Sequence, residues 1–187
     1  MGVSTGRARL LDELLAYRPA TPLELRARES FRTFVAAYAD CFERTLAIGH
    51  VTGSAWVIDP AGRSALLTHH RKLGRWLQLG GHADGDDDLR AVALREAREE
   101  SGLLEIVPAG SAIFDLDVHA IPARGPEPEH LHNDVRFAFY GNPALRPVAS
   151  EESHEVAWVA LAEIDRYAVD DSVRRLVAKT PALVRAL

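Results

Sequence analysis

Three glutamates, Glu96, Glu99 and Glu100, stand three and four residues apart in a segment whose apolar residues recur at helical spacing. In a helix over residues 88–101 their carboxylates share one face. They crowd the C-terminal half of that helix, where the helix dipole disfavours negative charge. A bound cation would offset this effect, and ligands that are all oxygen suit a hard divalent ion such as Mg2+ or Mn2+. The spacing therefore predicts a carboxylate metal site.

The residues around this helix help to decide between a metal site and a charged face that is merely solvated, with Arg95 and Arg98 balancing the glutamates. Gly80 and Gly81 form a tight turn upstream, where the backbone can approach a phosphate or a metal. A run of aspartates precedes the helix near its positive end, and Gly102 is placed to end it in the left-handed conformation. Together these features favour the metal site.

The whole segment resembles the box of the Nudix hydrolases, G-x5-E-x7-R-E-U-x-E-E-x-G-U, in which U is an apolar residue. The fixed positions are occupied here by Gly81, Asp87, Arg95, Glu96, Ala97, Glu99, Glu100, Gly102 and Leu103. The one departure within the box is Asp87, which is one methylene shorter than the usual Glu. Outside the box, Leu79 replaces the usual Pro, Trp76 resembles the family's entry strand, and residues 155–159 resemble its late E-x-x-W-V strand.

This resemblance implies an α+β fold, an α/β/α sandwich with mixed β-sheets, that hydrolyses a diphosphate linked to another group with Mg2+ or Mn2+. By position, it assigns four metal ligands: the Gly80 carbonyl, Glu96, Glu99 and Glu100. Arg95 would orient a glutamate, and Glu99, Glu100 or a glutamate on a later loop would deprotonate the attacking water. Asp87 would ligate the metal or support its ligands, a role that Asp86 and Asp88 are placed to share.

A second group of acidic residues lies in the loop around residues 150–155, where the family often carries an extra acidic ligand or base. The candidates for this extra acid or base are Glu151, Glu152 and Glu155. A solvated acidic loop accounts for the same residues, and the sequence leaves both interpretations open.

Two predicted strands carry polar residues at every second position, which places those residues on one face of each strand. The residues are Asp115, Asp117 and His119 on the strand at 113–121, and His130, His132, Asp134 and Arg136 on the strand at 130–140. If the strands pair as a hairpin, these side chains form one polar face. The candidates for binding a substrate phosphate or an additional metal are His82, His119, His132, Asp134 and Arg136. A solvent-facing sheet surface is the alternative.

Helices at the N-terminus precede these strands. Residues 2–9 show no periodicity and are expected to fray, a first helix follows them, and Thr21 caps a second helix that runs to about residue 46. The other predicted elements are a hairpin of strands 54–58 and 64–69, strands at 75–79 and 156–159, and a helix at 170–178. We therefore divide the chain into an N-terminal helical extension, residues 1–44, and a Nudix domain, residues 45–187. The extension is expected either to pack on the domain or to form a homodimer interface.

Composition excludes several classes of protein. The chain has 187 residues, a net charge of -5 and one cysteine, Cys41, which we expect to pack in or near the core. The negative charge argues against a nucleic-acid binder, and a lone cysteine excludes a disulfide framework. No apolar run approaches the roughly 20 residues that span a bilayer, and no signal peptide is visible. We therefore expect a cytoplasmic protein without a nucleic-acid or membrane partner.

The sequence thus predicts a nucleotide pyrophosphohydrolase that acts on a small-molecule nucleoside diphosphate derivative. An enzyme resembling the isopentenyl-diphosphate isomerases is disfavoured, because His82 follows the glycines but the Cys of such a site is missing. A non-catalytic nucleotide-binding module on the same fold is disfavoured because the box is intact apart from Asp87. The aromatic residues Trp56, Trp76, Phe137 and Tyr140 are expected to belong to the core rather than to stack on a base.

Overall fold

A mixed β-sheet forms the middle layer of the protein, and helices cover both of its faces. The computed structural model describes residues 5–125, 128–151 and 153–184. Within these ranges the helices are α1 (Thr5–Ala16), α2 (Pro22–Ala37), α3 (Leu89–Ser101) and α4 (Asp171–Val184), and a 3-10 helix, Leu161–Arg166, precedes α4. The strands are β1 (Gly49–Ile58), β2 (Ser64–His70), β3 (Arg75–Leu77), β4 (Leu79–His82), β5 (Val107–Pro108), β6 (Asp115–Ile121), β7 (His130–Tyr140) and β8 (Ser153–Ala160).

Strand β1 is the centre of the sheet. It runs parallel to β7 along its whole length, so that His50 lies opposite His132. On its other edge it pairs antiparallel with β4 near its beginning and with β2 near its end, which confirms the predicted β1–β2 hairpin. Strands β6 and β7 form the second predicted hairpin, with Asp115 opposite Arg136. This arrangement places β1 between the polar strand β7 and strand β4, which carries Gly80 and Gly81. The tight turn predicted for these two glycines is therefore wrong, because both pair with β1 as part of a strand.

The two faces of the sheet bury two separate hydrophobic cores. Side chains alternate along β1, so Val51 and Ala55 belong to the core under α1, α2 and α3, while Trp56 and Ile58 belong to the core under α4. The indole Nε1 of Trp56 donates a hydrogen bond to the hydroxyl of Thr180 in α4, 2.9 Å away. The predicted α/β/α sandwich with a mixed sheet is therefore confirmed.

The N-terminal helices pack on the domain of their own chain. Leu10, Leu14, Phe31 and Val35 are buried in the same core as the residues of α3. The expectation of a frayed tail over residues 2–9 is wrong from Thr5 onward, because α1 begins there and the helix is anchored by these buried leucines. Residues 1–4 lie outside the described part of the chain. The N-terminal extension and the rest of the described chain thus share one hydrophobic core.

Two predicted element boundaries differ from the structure. Helix α2 ends at Ala37 rather than near residue 46, because the following backbone bonds elsewhere: the Cys41 carbonyl accepts from Val51 and the Phe42 carbonyl accepts from Gly85. Phe42 continues the apolar pattern because it still packs on the same core. The predicted strand at 75–79 is divided in two, since β3 pairs with β2 and β4 pairs with β1.

The lone cysteine and the aromatic residues mostly occupy the cores, as expected. Cys41 is buried with a free thiol, and burial raises its pKa to about 11, so it is a weak nucleophile. Trp56, Trp76 and Phe137 are buried, whereas Tyr140 is only partly buried against the core under α4. Among the described residues, no helix combines the length and the apolar character that crossing a bilayer requires.

Candidate active site

Helix α3 is fixed against the sheet at both of its ends. Its first turn is capped by Asp88, whose carboxylate accepts a hydrogen bond of 3.1 Å from the Ala91 amide. Close to this end, a Cβ at Gly53 of β1 would lie 2.8 Å from the Leu89 carbonyl, so only glycine allows the helix to approach the strand. Gly102 ends the helix with φ 68°, in the left-handed conformation that the sequence predicted. The position of the acidic face is therefore set by backbone packing.

The three box glutamates differ in how far they are exposed. Glu96 is half-buried and its carboxylate lies against the backbone of Gly81, where any Cβ would collide with it. Glu100 is buried, at 9% exposure, and Glu99 is exposed. Arg95 donates a hydrogen bond of 3.0 Å to Glu96. The helix thus presents carboxylates of different exposure beside the glycines of β4, and Arg95 contacts the glutamate that the resemblance expects it to orient.

This donor set fits a hard divalent cation. The groups at the site are carboxylate oxygens and the backbone of β4 at Gly80 and Gly81, which are the ligand types that Mg2+ and Mn2+ prefer. Gly81 keeps β4 in contact with Glu96, because a larger residue would displace that carboxylate.

Asp87, which replaces the family's Glu, contacts the N-terminal helix. Its carboxylate forms an ion pair of 2.7 Å with Arg9 of α1, and a Cβ at Gly6 would collide with the same side chain. The carboxylate of its neighbour Asp86 lies 3.8 Å from the guanidinium group of Arg95, another residue of the box. The structure thus directs Asp87 toward α1, while Asp86 is the aspartate in contact with a box residue.

The acidic loop begins beside the C-terminal end of α3. The amide of Val148 donates to the Ser101 carbonyl at 2.8 Å, and the amide of Ser150 donates to the Glu100 carbonyl at 3.3 Å. Glu151 follows directly and is exposed, which places it next to the end of the acidic face. Glu155 instead lies on β8, opposite His69, and Glu152 is outside the described residues.

The polar face predicted for β6 and β7 exists, and its deeper part is a charged cluster of Asp115, Asp117, Asp134, Arg136, Arg175 and Lys179. Arg136 is almost completely buried and contacts Asp134 at 2.8 Å and Asp115 at 3.3 Å. From α4, Arg175 and Lys179 reach Asp115 at 2.8 and 2.9 Å. Burial lowers the pKa of Arg136, but the surrounding aspartates raise it overall, so the guanidinium stays charged.

This cluster leaves Arg136 and Asp134 without an accessible surface for a substrate phosphate. Arg136 is enclosed by aspartates and by Ser172. Asp134 accepts hydrogen bonds from the hydroxyls of Thr52 and Ser54, at 2.9 and 2.8 Å. Their placement differs from the expectation of a substrate-lining role, because the side chains of α4 cover this part of the sheet.

Farther along the same face lies an imidazole cluster, which we define as His50, His130 and His132. The ring of His50 lies 5.0 Å from that of His130 and 4.8 Å from that of His132. Burial and the neighbouring imidazoles lower the pKa of His50 to about 4 and that of His132 to about 2. Both rings are therefore neutral at pH 7.

Two other predicted histidines border this cluster. His82 lies 4.9 Å from His50 and 5.1 Å from His132, measured between ring centroids. His119 lies 5.6 Å from His132, and its Nδ1 is 2.9 Å from the Asp117 carboxylate. Burial lowers the pKa of His119, but the hydrogen bond to Asp117 and nearby negative charge raise it overall. The structure thus brings His82, His119 and His132 together, as the alternating pattern suggested.

Sequence reasoning did not single out three residues that complete this polar face. His50 lies outside the alternating strands, and only the parallel pairing of β1 with β7 brings it to His132. Arg175 and Lys179 are on α4, whose docking on the sheet the sequence did not fix. The one signal for the basic pair is their i, i+4 spacing, which places both on one helix face.

A fold of this kind, with an acidic helix held against a glycine-containing strand, defines a class of pyrophosphate hydrolases. The NUDIX domain matches residues 49–179 of the chain, which therefore belongs to the NUDIX family and is a hydrolase of pyrophosphate bonds. The matched range begins at β1 and ends within α4, so it contains the box, both polar strands and the acidic loop. A comparison with curated proteins gives no match.

Solved structures show the same fold at low sequence identity. An Ap4A hydrolase from C. elegans is 17% identical with a TM-score of 0.57, covering 73% of this chain and 98% of that chain. A MutT protein from Methanosarcina mazei Go1 is 19% identical with a TM-score of 0.53, covering 73% and 96%. The E. coli dihydroneopterin triphosphate pyrophosphohydrolase is 13% identical with a TM-score of 0.53, covering 68% and 91%. At these identities the likeness concerns the fold.

Proposed function

We propose that the protein hydrolyses a diphosphate linkage in a nucleoside diphosphate derivative, using Mg2+ or Mn2+ held by Glu96, Glu99, Glu100 and the Gly80 carbonyl. The observation that carries this proposal is the contact between the Glu96 carboxylate and the Gly81 backbone, which joins the acidic helix to β4. The named substrates of the similar structures, Ap4A and dihydroneopterin triphosphate, both contain linked phosphates, which supports the substrate class.

The roles proposed for the residues at the site depend on how exposed each side chain is. Arg95 positions Glu96 through its 3.0 Å hydrogen bond, and burial holds Glu100 in one place. Glu99 is exposed, and Glu151 follows the loop that bonds to the end of α3, so both can reach a water molecule that approaches from solvent. The proton acceptor is one of Glu99, Glu100 and Glu151. When bound, the divalent ion lowers the pKa of water and neutralises charge on the phosphates.

The test is hydrolysis of a panel of substrates, with the nucleotide and phosphate products separated by chromatography, measured with Mg2+, with Mn2+ and with EDTA. The panel contains nucleoside triphosphates, ADP-ribose, NADH, dinucleoside polyphosphates and sugar nucleotides. We expect at least one member to be cleaved with metal and none with EDTA. If folded, metal-loaded protein cleaves no member of the panel, the proposal is contradicted and an isomerase or a nucleotide-binding module is favoured.

Substitutions of the box glutamates make the same test specific for the site. Glu99→Gln and Glu100→Gln are expected to lower kcat by about 100-fold or more, because each removes a negative ligand or the base. The matched control is Glu105→Gln, an exposed glutamate just beyond α3, which should retain full activity. Full activity in both box variants would refute the assignment of the metal site, while thermal unfolding checks that each variant is folded.

A further inference from the structure

We infer that His50, His130 and His132 form a second metal site, which binds one borderline divalent transition ion such as Zn2+. Each imidazole offers a ring nitrogen, and the three candidate ligand atoms lie within 4.8 Å of one another. In a tetrahedral zinc site with Zn–N distances of about 2.0 to 2.1 Å, ligand nitrogens stand about 3.3 Å apart. Small rotations of the rings close this difference. The proposal is independent of the function proposed above.

Buried ring nitrogens without hydrogen-bond partners among the described residues set His50 and His132 apart from structural histidines. His50 is 2% exposed and His130 is 6% exposed. Neither ring nitrogen of His50 has a hydrogen-bond partner among the described residues, and the same holds for Nε2 of His132. A buried polar atom that lacks a partner is costly, so native proteins rarely keep one without a use. A cation between the rings would satisfy these nitrogens together.

One histidine is already oriented for ligation. Nδ1 of His130 is 2.9 Å from the carbonyl oxygen of Pro128, so Nδ1 carries the proton and Nε2 presents a lone pair. A backbone carbonyl that fixes the tautomer in this way is the usual companion of a metal-binding imidazole. His50 and His132 are paired across β1 and β7, so the backbone also holds their spacing. The sheet therefore preorganises the ligands.

The imidazole site is separate from the carboxylate site. Side chains alternate along β4, and Gly81 faces the Glu96 carboxylate, so the neighbouring His82 faces the opposite side, where it contacts His50. The backbone of β4 thus lies between the two sites. Their chemistry also differs, because imidazoles select zinc, nickel, copper or cobalt, whereas carboxylates suit magnesium. Three protein ligands leave one coordination position for water or another small ligand.

The test is a titration with Zn2+ by isothermal calorimetry, on metal-free protein that carries no polyhistidine tag. An excess of Mg2+ is present to fill the carboxylate site, because Mg2+ has little affinity for imidazole. We expect one equivalent of Zn2+ to bind and to raise the Tm. The absence of binding under these conditions would overturn the proposal.

Variants of single residues identify the side chains that bind Zn2+. His50→Leu is expected to weaken Zn2+ binding by more than about 100-fold, since even residues that only orient a ligand contribute about 10- to 100-fold. His154→Gln, which removes an exposed histidine outside the cluster, and Glu99→Gln should bind Zn2+ as the wild type does. Unchanged binding by His50→Leu, or loss of binding by Glu99→Gln, would refute the assignment. If His50→Leu does not fold in EDTA, His132→Ala provides the same comparison.

Discussion

The charged cluster and the imidazole cluster occupy the same face of the same sheet, but they differ in how their buried polar atoms are paired. Arg136 and Asp115 are buried, and each has several partners of opposite charge. His50 is equally buried, and its ring nitrogens lack hydrogen-bond partners among the described residues. Burial alone therefore does not separate structural from functional polar residues. The useful distinction is whether the buried group is satisfied inside the protein.

The largest effect on stability is expected from replacing Arg136, the arginine at the centre of the charged cluster. Arg136→Met leaves buried aspartates without their main counter-charge, so we expect the free energy of unfolding to fall by about 3 kcal/mol or more, measured in urea. The matched control is Arg166→Ala, which breaks an ion pair between side chains that are 75% and 47% exposed. That change should lower stability by less than about 1 kcal/mol. Equal losses in the two variants would contradict the comparison.

A smaller, pH-dependent effect is expected at Glu24, where the charged cluster extends into α2. Burial raises its pKa, but hydrogen bonds from Tyr17 and Ala20 and the charge of Lys179 lower it overall from 4.5. A carboxyl with a lowered pKa stabilises the fold above its unfolded pKa, and this contribution is lost as the pH falls through the folded pKa.

Glu24→Gln is therefore expected to lower the free energy of unfolding by about 1 to 2 kcal/mol at pH 7. The difference from the wild type should begin to shrink below about pH 4.5, the pKa of the unfolded carboxyl, and should vanish below the lower pKa of the folded one. Urea unfolding at a series of pH values measures it, with the exposed Glu105→Gln as the control. A difference that stays constant down to pH 3 would show that the charge of Glu24 is not responsible.

The smallest effect is expected at the imidazole cluster when metal is absent. Because the ring nitrogens of His50 have no hydrogen-bond partner within the described residues, His50→Leu removes an unsatisfied polar group and replaces it with an apolar one of similar size. In EDTA we expect the free energy of unfolding to change by less than about 1 kcal/mol. A loss comparable to that of Arg136→Met would mean that His50 holds the sheet together through contacts of its own.

The sequence predicted those parts of the molecule that depend on local spacing. The helix over about residues 88–101, its end at Gly102 and the shared face of the glutamates all follow from residues within a few positions of each other. The β6–β7 hairpin and its polar face follow from alternation in two neighbouring strands. Residue roles such as the metal ligands remain predictions until the variants are measured.

The parts that the sequence did not predict depend on contacts between distant segments. His50 joins the imidazoles only because β1 lies parallel to β7, and such a pairing leaves no local signal. Arg9 pairs with Asp87 across the interface of α1 with the domain, so the substituted box position could not be assigned from spacing alone. Helix α2 ended early because its next carbonyls bond to β1 and to the loop before α3.

Lys179 has a consequence for how the chain folds. Its ammonium group contacts Tyr17 and Glu24 near the beginning of the chain, the latter 155 positions away, and also Asp115 in the middle. Contacts across such long stretches of sequence slow folding, because a long loop must close before they form. During synthesis, the carboxylate of Glu24 has no such partner until α4 has left the ribosome. We therefore expect the N-terminal helices to dock late, as a final cooperative step of folding.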